Sequence, residues 1–288
     1  MLQLYNRFAN MDIHLTLNSF AVLTGLGAGV GLLGSVLGVG GGIFIVPALV
    51  LFFHLPIHQA IASSLVTMIA TSSAVASVNV ERGVANMKLG MALEVSTAIG
   101  GLLGALVANM LDRKMLQTAF AFILAFTCVH MLIQSLKKDG PVKDAETPSN
   151  KMGGEFYDPQ QKRSISYHVE NFPLASVVSV FAGALSGLLG IGGGVVQVPL
   201  MHSVCKVPIK AAAATSNFMI GVTAASGAII YYRHGALLPE LTGALVLGVL
   251  GGSILGLKLL MGAKPRHLQF LFALLLGYTA WHMFSKAG

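Results

Sequence analysis

Long apolar runs separated by short polar turns dominate this chain. Most are near the roughly 20 residues that an α-helix needs to cross about 30 Å of hydrocarbon. The runs cover residues 19–53, 57–80, 88–110, 115–136, 173–204, 208–232, 237–260 and 265–285. In lipid, only helices and closed barrels satisfy their own backbone polar groups. The pattern therefore predicts an all-α polytopic membrane protein with about eight transmembrane segments.

Charged residues are scarce and unevenly placed. They make up 10% of the chain, against about 25% in a soluble domain, which excludes an ordinary cytosolic enzyme. Twelve of the 29 charges lie within residues 137–172, where six are basic and six acidic, so the net charge of +7 belongs to the apolar part. We expect no nucleic-acid partner. Cys128 and Cys205 lack metal-site spacing, and neither a metal nor another cofactor is expected.

The two halves of the chain repeat each other. Residues 30–131, laid over 182–283 at a constant offset of 152 positions, match at 31 of 102 positions without a gap. Composition alone does not produce such agreement. The sequence therefore predicts an N-terminal extension (1–18), a first transmembrane repeat (19–136), a hydrophilic linker (137–172) and a second transmembrane repeat (173–288), with four segments in each repeat.

The first run of each repeat is interrupted by glycines. Residues 19–53 would form a straight helix of about 52 Å, too long for one span. Glycine-rich backbone weakens a helix, so we expect a break there and a second helix from Ile43 and from Val195. The glycines that recur at the same repeat position are Gly38, Gly40, Gly41 and Gly42, and Gly190, Gly192, Gly193 and Gly194.

The orientation of the repeats depends on how often each half crosses the membrane. If the broken run spans once, alternate loops divide the 18 Lys and Arg residues as 11 against 7; if it is a re-entrant hairpin, the division is 13 against 5. Basic residues are in excess in cytoplasmic loops. When the six basic residues of the linker are not counted, only the hairpin model leaves more Lys and Arg on the side of the membrane that holds the linker. We therefore expect inverted repeats, an external N-terminus and a cytoplasmic linker.

Irregular backbone at membrane depth is tolerated only inside the protein or beside a wet cavity. Each glycine cluster therefore indicates a site. A helix that begins after the glycines exposes free amides and its positive dipole end, which together attract an anion. Two clusters from two repeats predict a transporter site at the repeat interface. The alternative is that the glycines only permit close helix packing.

Hydroxyl and amide side chains follow the glycine clusters, where a plain lipid-facing helix would have none. They are neutral hydrogen-bond donors, suited to a small oxyanion that must be released again, although such residues also serve as ordinary interhelical contacts. The candidate substrate-binding residues are Ser63, Ser64, Thr67, Gln197, Thr215, Ser216 and Asn217.

Ionisable residues inside a bilayer are costly, and each one is a candidate for function. Glu94 lies about seven residues into its apolar run and is the candidate for proton coupling; the alternative is a structural partnership with Arg82. Arg82 and Arg233 are also candidates for coupling or gating. Both lie at run ends, so interfacial snorkelling is the alternative. His130 and His282 occupy equivalent repeat positions and are candidates for gating, against a role as interfacial histidines.

Two motifs resemble a known family. LGVGGGIFIVPAL at Leu37–Leu49 and LGIGGGVVQVPLM at Leu189–Met201, with Ala-Ser-Ser at 62–64 and Ala-Thr-Ser at 214–216, resemble the sulfite exporter TauE/SafE family. The resemblance covers nearly all of the chain outside the linker and the first 18 residues. It implies a permease for small sulfur-containing anions such as sulfite, sulfonates and sulfoacetate, here in a bacterial inner membrane, with the site at the two glycine clusters.

Three functions compete at this point. The first is secondary transport of a small sulfur-containing anion; no G-x-x-x-x-G-K-[ST] motif for an ATPase occurs. The second is an anion channel, and the third is a membrane-embedded enzyme that uses His130, His282 and Glu94. The expected partners are the anion, the lipid bilayer and protons as the coupling ion, while homo-oligomer formation stays open.

We predict that the linker is cytoplasmic, exposed and without regular structure for part of its length, because it has dense charge and three prolines. A cysteine introduced by Ser149→Cys or Ser164→Cys should then resist a membrane-impermeant thiol reagent applied to intact cells. Labelling of both from outside would reverse the topology.

Overall fold

The structure, a computed structural model, describes residues 17–38, 40–136, 152–158, 163–259 and 265–287. These residues form ten α-helices and one β-hairpin. The elements are α1 (Leu17–Leu37), α2 (Gly42–Leu51), α3 (Ile57–Glu81), α4 (Met87–Ala108), α5 (Arg113–Leu136), β1 (Gly154–Asp158), β2 (Arg163–Tyr167), α6 (Phe172–Leu189), α7 (Gly194–Ser203), α8 (Ile209–Arg233), α9 (Pro239–Leu259) and α10 (Pro265–Ala287).

Within the described residues, seven helices are long and apolar enough to cross a membrane: α1, α3, α4, α5, α6, α8 and α9. Helix α10 has 23 residues but is not among those seven, and α2 and α7 have 10 residues each. The prediction of an all-α polytopic membrane fold is confirmed. The one departure in the described part of the chain is the β-hairpin.

Both long first runs break at their glycines. Helix α1 ends at Leu37 and α2 begins at Gly42, while α6 ends at Leu189 and α7 begins at Gly194. The two N-caps, Gly41 and Gly193, have φ angles of 80° and 64°, in the left-handed region that favours glycine. Each second helix therefore begins one residue earlier than the sequence pattern indicated.

The chain turns back at each break. A Cβ on Gly41 would lie 2.6 Å from Val30 Cγ1, so the start of α2 lies beside the last turns of α1. Helix α2 then runs antiparallel to α3, because Gly42 lies close to Ser64 while Leu51 connects through a short loop to Ile57. The broken run has the shape of a re-entrant hairpin.

Helices at equivalent places in the two halves run in opposite directions. Helices α3 and α8 have bounds that differ by the repeat offset. Ser72 on α3 donates a hydrogen bond to the carbonyl of Asn217 on α8, and Gly227 of α8 packs on Leu65 of α3. Residue numbers thus rise along one helix while they fall along the other. We infer that the two halves are inverted relative to each other.

Glycines also bring whole helices into backbone contact. A Cβ on Gly100 or Gly104 of α4 would overlap with the α6 backbone at Val180 or Ala184. The same holds between α1 and α9, where Gly252 lies against the backbone of Ala28. At these positions the glycines do serve close packing, as small residues commonly do between membrane helices.

The linker contains a structured element that sequence reasoning missed. Strands β1 and β2 pair antiparallel, with Phe156 opposite Ile165. Phe156, Ile165 and Tyr167 are buried in a cluster that includes Leu89 and Met201. For these three side chains the prediction of an exposed linker is wrong, because they share one apolar face of the hairpin. Residues 137–151 and 159–162, to which the prediction of irregular structure also applied, lie outside the described residues.

Asn86 connects this hairpin to the membrane helices. Its Oδ1 accepts from Leu89 N at 3.0 Å and so caps α4. Its Nδ2 donates to Met152 O at 2.9 Å and to Tyr167 Oη at 3.2 Å. Its backbone N–H donates to Thr215 Oγ1 of α8 at 2.9 Å. One residue therefore links the linker, α4 and α8.

We predict that Asn86→Ala lowers the free energy of unfolding by about 2 to 3 kcal/mol, because it removes the cap and leaves two acceptors without their donor. Asn86→Asp keeps the cap and should lose less. Thermal unfolding of the detergent-solubilised proteins measures the expected order of stability, which is wild type, then Asn86→Asp, then Asn86→Ala. Asn109→Ala, at the other end of α4, is the control, since the hydrogen bond that Asn109 Nδ2 makes among the described residues stays within its own helix, to Ala105 O at 2.8 Å. An Asn86→Ala protein as stable as Asn109→Ala would contradict the prediction.

Candidate functional site

The two glycine clusters meet at the centre of the protein. A Cβ on Gly42 would overlap with Gly190 O, and a Cβ on Gly194 would overlap with Gly38 O. Gly40 lies against Met68 and Ile220, which sit at the middle of the 25-residue helices α3 and α8. Each of these helices is about 37 Å long. The clusters therefore lie at the midpoint of two membrane-length helices.

A pair of crossed hydrogen bonds fixes this centre. Ser64 Oγ of α3 donates to Gly190 O at 2.8 Å, and Ser216 Oγ of α8 donates to Gly38 O at 3.1 Å. Each serine thus satisfies a carbonyl at the end of the broken helix of the other half. A hydroxyl has one proton to donate, so in this conformation neither serine has a donor left for an anion.

Four more of the predicted polar residues, Ser63, Thr67, Thr215 and Asn217, are buried around the same centre and form hydrogen bonds. Thr242 Oγ1 donates to Ser63 Oγ at 3.0 Å, and Thr67 Oγ1 donates to Ser63 O at 2.7 Å. Thr215 Oγ1 accepts from Asn86 N at 2.9 Å. Asn217 Nδ2 donates to Ser35 O at 3.3 Å. The structure brings these residues together, and most of their hydrogen bonds join one helix to another.

Backbone amides at the two helix starts are further candidate donors. In α2 the first helical bonds come from Phe44 N and Ile45 N to Gly41 O, so the N–H groups of Gly42 and Ile43 precede the first turn. In α7 the N–H groups of Val196 and Gln197 donate to Gly193 O, so Val195 N–H lies before that turn. Both helix starts carry a positive partial charge at the protein centre.

Two buried side-chain oxygen atoms beside the second cluster have no hydrogen-bond partner among the described residues. They are Oε1 of Gln197 and Oγ of Ser186. The exposures of the two residues are 3% and 0%. Gln197 was predicted, whereas Ser186 was missed because a serine inside an apolar helix resembles an ordinary packing residue. The repeat offset gives a signal for it, since it aligns Ser186 with Gly34.

Glu94 lies away from the glycines, between helices of the two halves. It is buried on α4, with 7% exposure, and its Oε1 accepts from Thr223 Oγ1 of α8 at 2.8 Å. Its Oε2 has no hydrogen-bond partner among the described residues. The structure therefore gives the acid a partner that sequence reasoning did not name, in place of the Arg82 alternative.

The remaining predicted residues lie at the periphery. Arg82 caps the C-terminus of α3 and Arg233 is the last residue of α8, and both are exposed. His282 is exposed on α10, where its ring packs edge-on to Tyr278 at 5.4 Å between centroids. The side chain of His130 lies outside the described residues. The structure thus places Glu94 inside the protein and His282 on its surface.

Comparisons with known proteins agree with this architecture. The model of the family described as sulfite exporter TauE/SafE matches residues 23–283. Similar curated proteins include the probable membrane transporter protein YunE of Bacillus subtilis, 27% identical over 75% of this chain and 80% of its own length. The probable membrane transporter protein MJ0441 of Methanocaldococcus jannaschii is 26% identical over 88% and 91%. No solved structure matches the chain significantly.

The family match spans both repeats and most of the chain. The two relatives carry the name probable membrane transporter protein, and the match covers 80% and 91% of their lengths. Together with seven apolar helices, the bacterial relatives indicate an integral protein of the plasma membrane. The chain therefore belongs to the sulfite exporter TauE/SafE family of membrane transporters.

Proposed function

We propose that this protein is a secondary transporter that carries a small sulfur-containing anion by alternating access. The anion is held at the glycine-rich helix starts near the bilayer midplane, and protons are the coupling ion. The observation that carries the proposal is the meeting of two glycine-capped helix N-termini at the midpoint of α3 and α8. Free amides and helix dipoles there attract an anion without a charged side chain.

The antiparallel pairing of equivalent helices supports alternating access. Repeats of opposite orientation can exchange their conformations, and that exchange opens a central site to the opposite side of the membrane. The interfaces that would rearrange are those between α3 and α8 and between α4 and α8. Hydrogen bonds across them, from Ser72 to Asn217 O and from Thr223 to Glu94, are contacts that one conformation has and the other replaces.

Glu94 is suited to proton coupling because of its place in this interface. Ionisable groups within membrane segments commonly form proton relays in carriers. Its partner Thr223 belongs to the other half, so separation of α4 from α8 would change the surroundings of the carboxyl group. Helix α6, which also packs on α4, has no ionisable residue between Phe172 and Leu189. The nearest ionisable residues of α8, Lys210 and Tyr231, lie at least two turns from Thr223.

Flux into proteoliposomes tests the proposal directly. Purified protein should catalyse saturable uptake of sulfite or sulfoacetate, with accelerated exchange when the same anion is present inside. A channel gives no such exchange acceleration and no response to an imposed proton gradient beyond its electrical effect. Uptake that rises linearly with concentration and shows no exchange would favour the channel.

We predict that Gly193→Leu abolishes transport while the protein still inserts. The backbone φ of 64° disfavours a side chain at this position, and leucine would fill the space beside the start of α7. The control is Gly251→Leu, since a Cβ on this exposed α9 glycine meets nothing within 4 Å. Equal flux from Gly193→Leu and wild type, at equal amounts of inserted protein, would show that the glycine cluster serves packing only.

We predict that Glu94→Gln leaves anion affinity near the wild-type value and removes the dependence of flux on a pH gradient. Glutamine keeps the shape and the bond from Thr223 but cannot exchange a proton. Binding and pH-driven flux are measured on one preparation. Thr71→Val is the matched control, because Thr71 aligns with Thr223 in the repeat and its Oγ1 bonds within its own helix, to Thr67 O at 3.1 Å. A pH response equal to that of wild type would end the coupling proposal.

A further inference from the structure

The surroundings of the two glycine clusters differ, although the backbones repeat. A Cβ on Gly41 would lie 2.6 Å from Val30 Cγ1, whereas a Cβ on Gly193 would meet nothing closer than Ala182 O at 3.4 Å. The repeat offset aligns Val30 with Ala182. Ala182, the smaller side chain, leaves room for a methyl-sized group beside the second cluster. Val30, the larger one, fills the equivalent space beside the first cluster.

At the aligned positions of the described residues, buried polar atoms without a partner occur only beside the roomier cluster. Ser186 and Gln197 are buried there without a partner for Ser186 Oγ or Gln197 Oε1, and the equivalent residues of the first repeat are Gly34 and Ile45. A buried polar atom without a partner costs free energy. A polar ligand that supplies the missing partner would therefore be favoured at this position.

Both side chains are directed toward the start of α7. Gln197 is the fourth residue of that helix, and helical side chains point back toward the helix N-terminus. Ser186 Cβ lies 3.6 Å from the position of a Cβ on Gly193. The hydroxyl, the carboxamide and the Val195 N–H thus border the space beside Gly193.

We infer that the second glycine cluster alone binds the oxyanion head of the substrate, with one oxygen of the head in the methyl-sized space between Ser186, Gln197, Ala182 and Gly193. The inference rests on the proposed transport function and assigns its substrate head to one of the two repeats. Sulfite and the sulfonate group of sulfoacetate have several oxygens that accept hydrogen bonds. Ser186 Oγ–H can donate to one of them, and the Gln197 carboxamide donates through Nε2 after it rotates, because Oε1 only accepts. The first cluster, closed by Val30, then completes the packing of the centre through the crossed serine bonds.

Calorimetric titration of the purified full-length protein with sulfite and with sulfoacetate tests the assignment. We expect Ser186→Ala and Gln197→Leu each to raise Kd about tenfold, the usual effect of one hydrogen bond to a charged group. Ala182→Val copies the first repeat and should weaken binding at least as much by filling the space. Ser179→Ala is the matched control, because Ser179 Oγ is also buried and unpaired on α6, about two turns away.

A second readout separates binding from folding. Ser186→Ala removes an oxygen that has no partner in the ligand-free protein, so the ligand-free Tm should stay equal or rise, while the Tm increase caused by sulfite should shrink. Anion affinity unchanged in Ser186→Ala, Gln197→Leu and Ala182→Val would overturn the assignment and leave transport standing. Wild-type protein that neither binds nor transports either anion would overturn both. An equal loss of anion affinity in Ser179→Ala and Ser186→Ala would also overturn the assignment to the second cluster, since the effect would then not depend on proximity to Gly193.

Discussion

Backbone polar groups inside a membrane must find partners within the protein, and this requirement governs the centre of the structure. Two helices end and two begin at membrane depth, which leaves carbonyls at Gly38 and Gly190 and amides at the following helix starts. Ser64 and Ser216 satisfy the carbonyls across the two halves. At the start of α7, Gly194 N–H donates to Gly192 O, whereas the Val195 N–H precedes the first helical turn. In the proposed function, the break that creates this cost also provides the helix starts that attract the anion.

The crossed serine bonds also join the two halves. Each half supplies the hydroxyl that the other half needs, so separating them would expose a carbonyl on both sides. Close backbone contacts at glycines strengthen this association, since the packing of α4 on α6 and of α1 on α9 requires residues without a side chain. Glu94 and Thr223 add one more contact between halves, at a place where the repeat-related position has Val246.

The two glycine clusters have similar backbones but different neighbouring side chains. The repeated glycines provide two similar helix starts, but Ala182, Ser186 and Gln197 surround only one of them. The linker adds a second asymmetry. Asn86 connects the linker hairpin to α4 and α8. The Asn86 N–H donates a hydrogen bond to Thr215, which precedes Ser216, the residue that donates to Gly38 O. Burial also raises the pKa of Tyr167, which keeps its hydroxyl protonated beside Asn86.

The sequence by itself determined the membrane character and the broken first runs and predicted a duplication, because apolar length, glycine and a constant offset are local or periodic signals. It also selected the residues that gather at the centre, from Gly38 to Asn217. Tertiary structure decided how they are used. That Ser64 donates to Gly190, that Glu94 bonds Thr223, and that Ser186 lies unpaired beside Gly193 depend on helices distant in sequence. The buried face of the linker hairpin likewise depends on its packing against Leu89 and Met201, which no pattern within residues 137–172 contains.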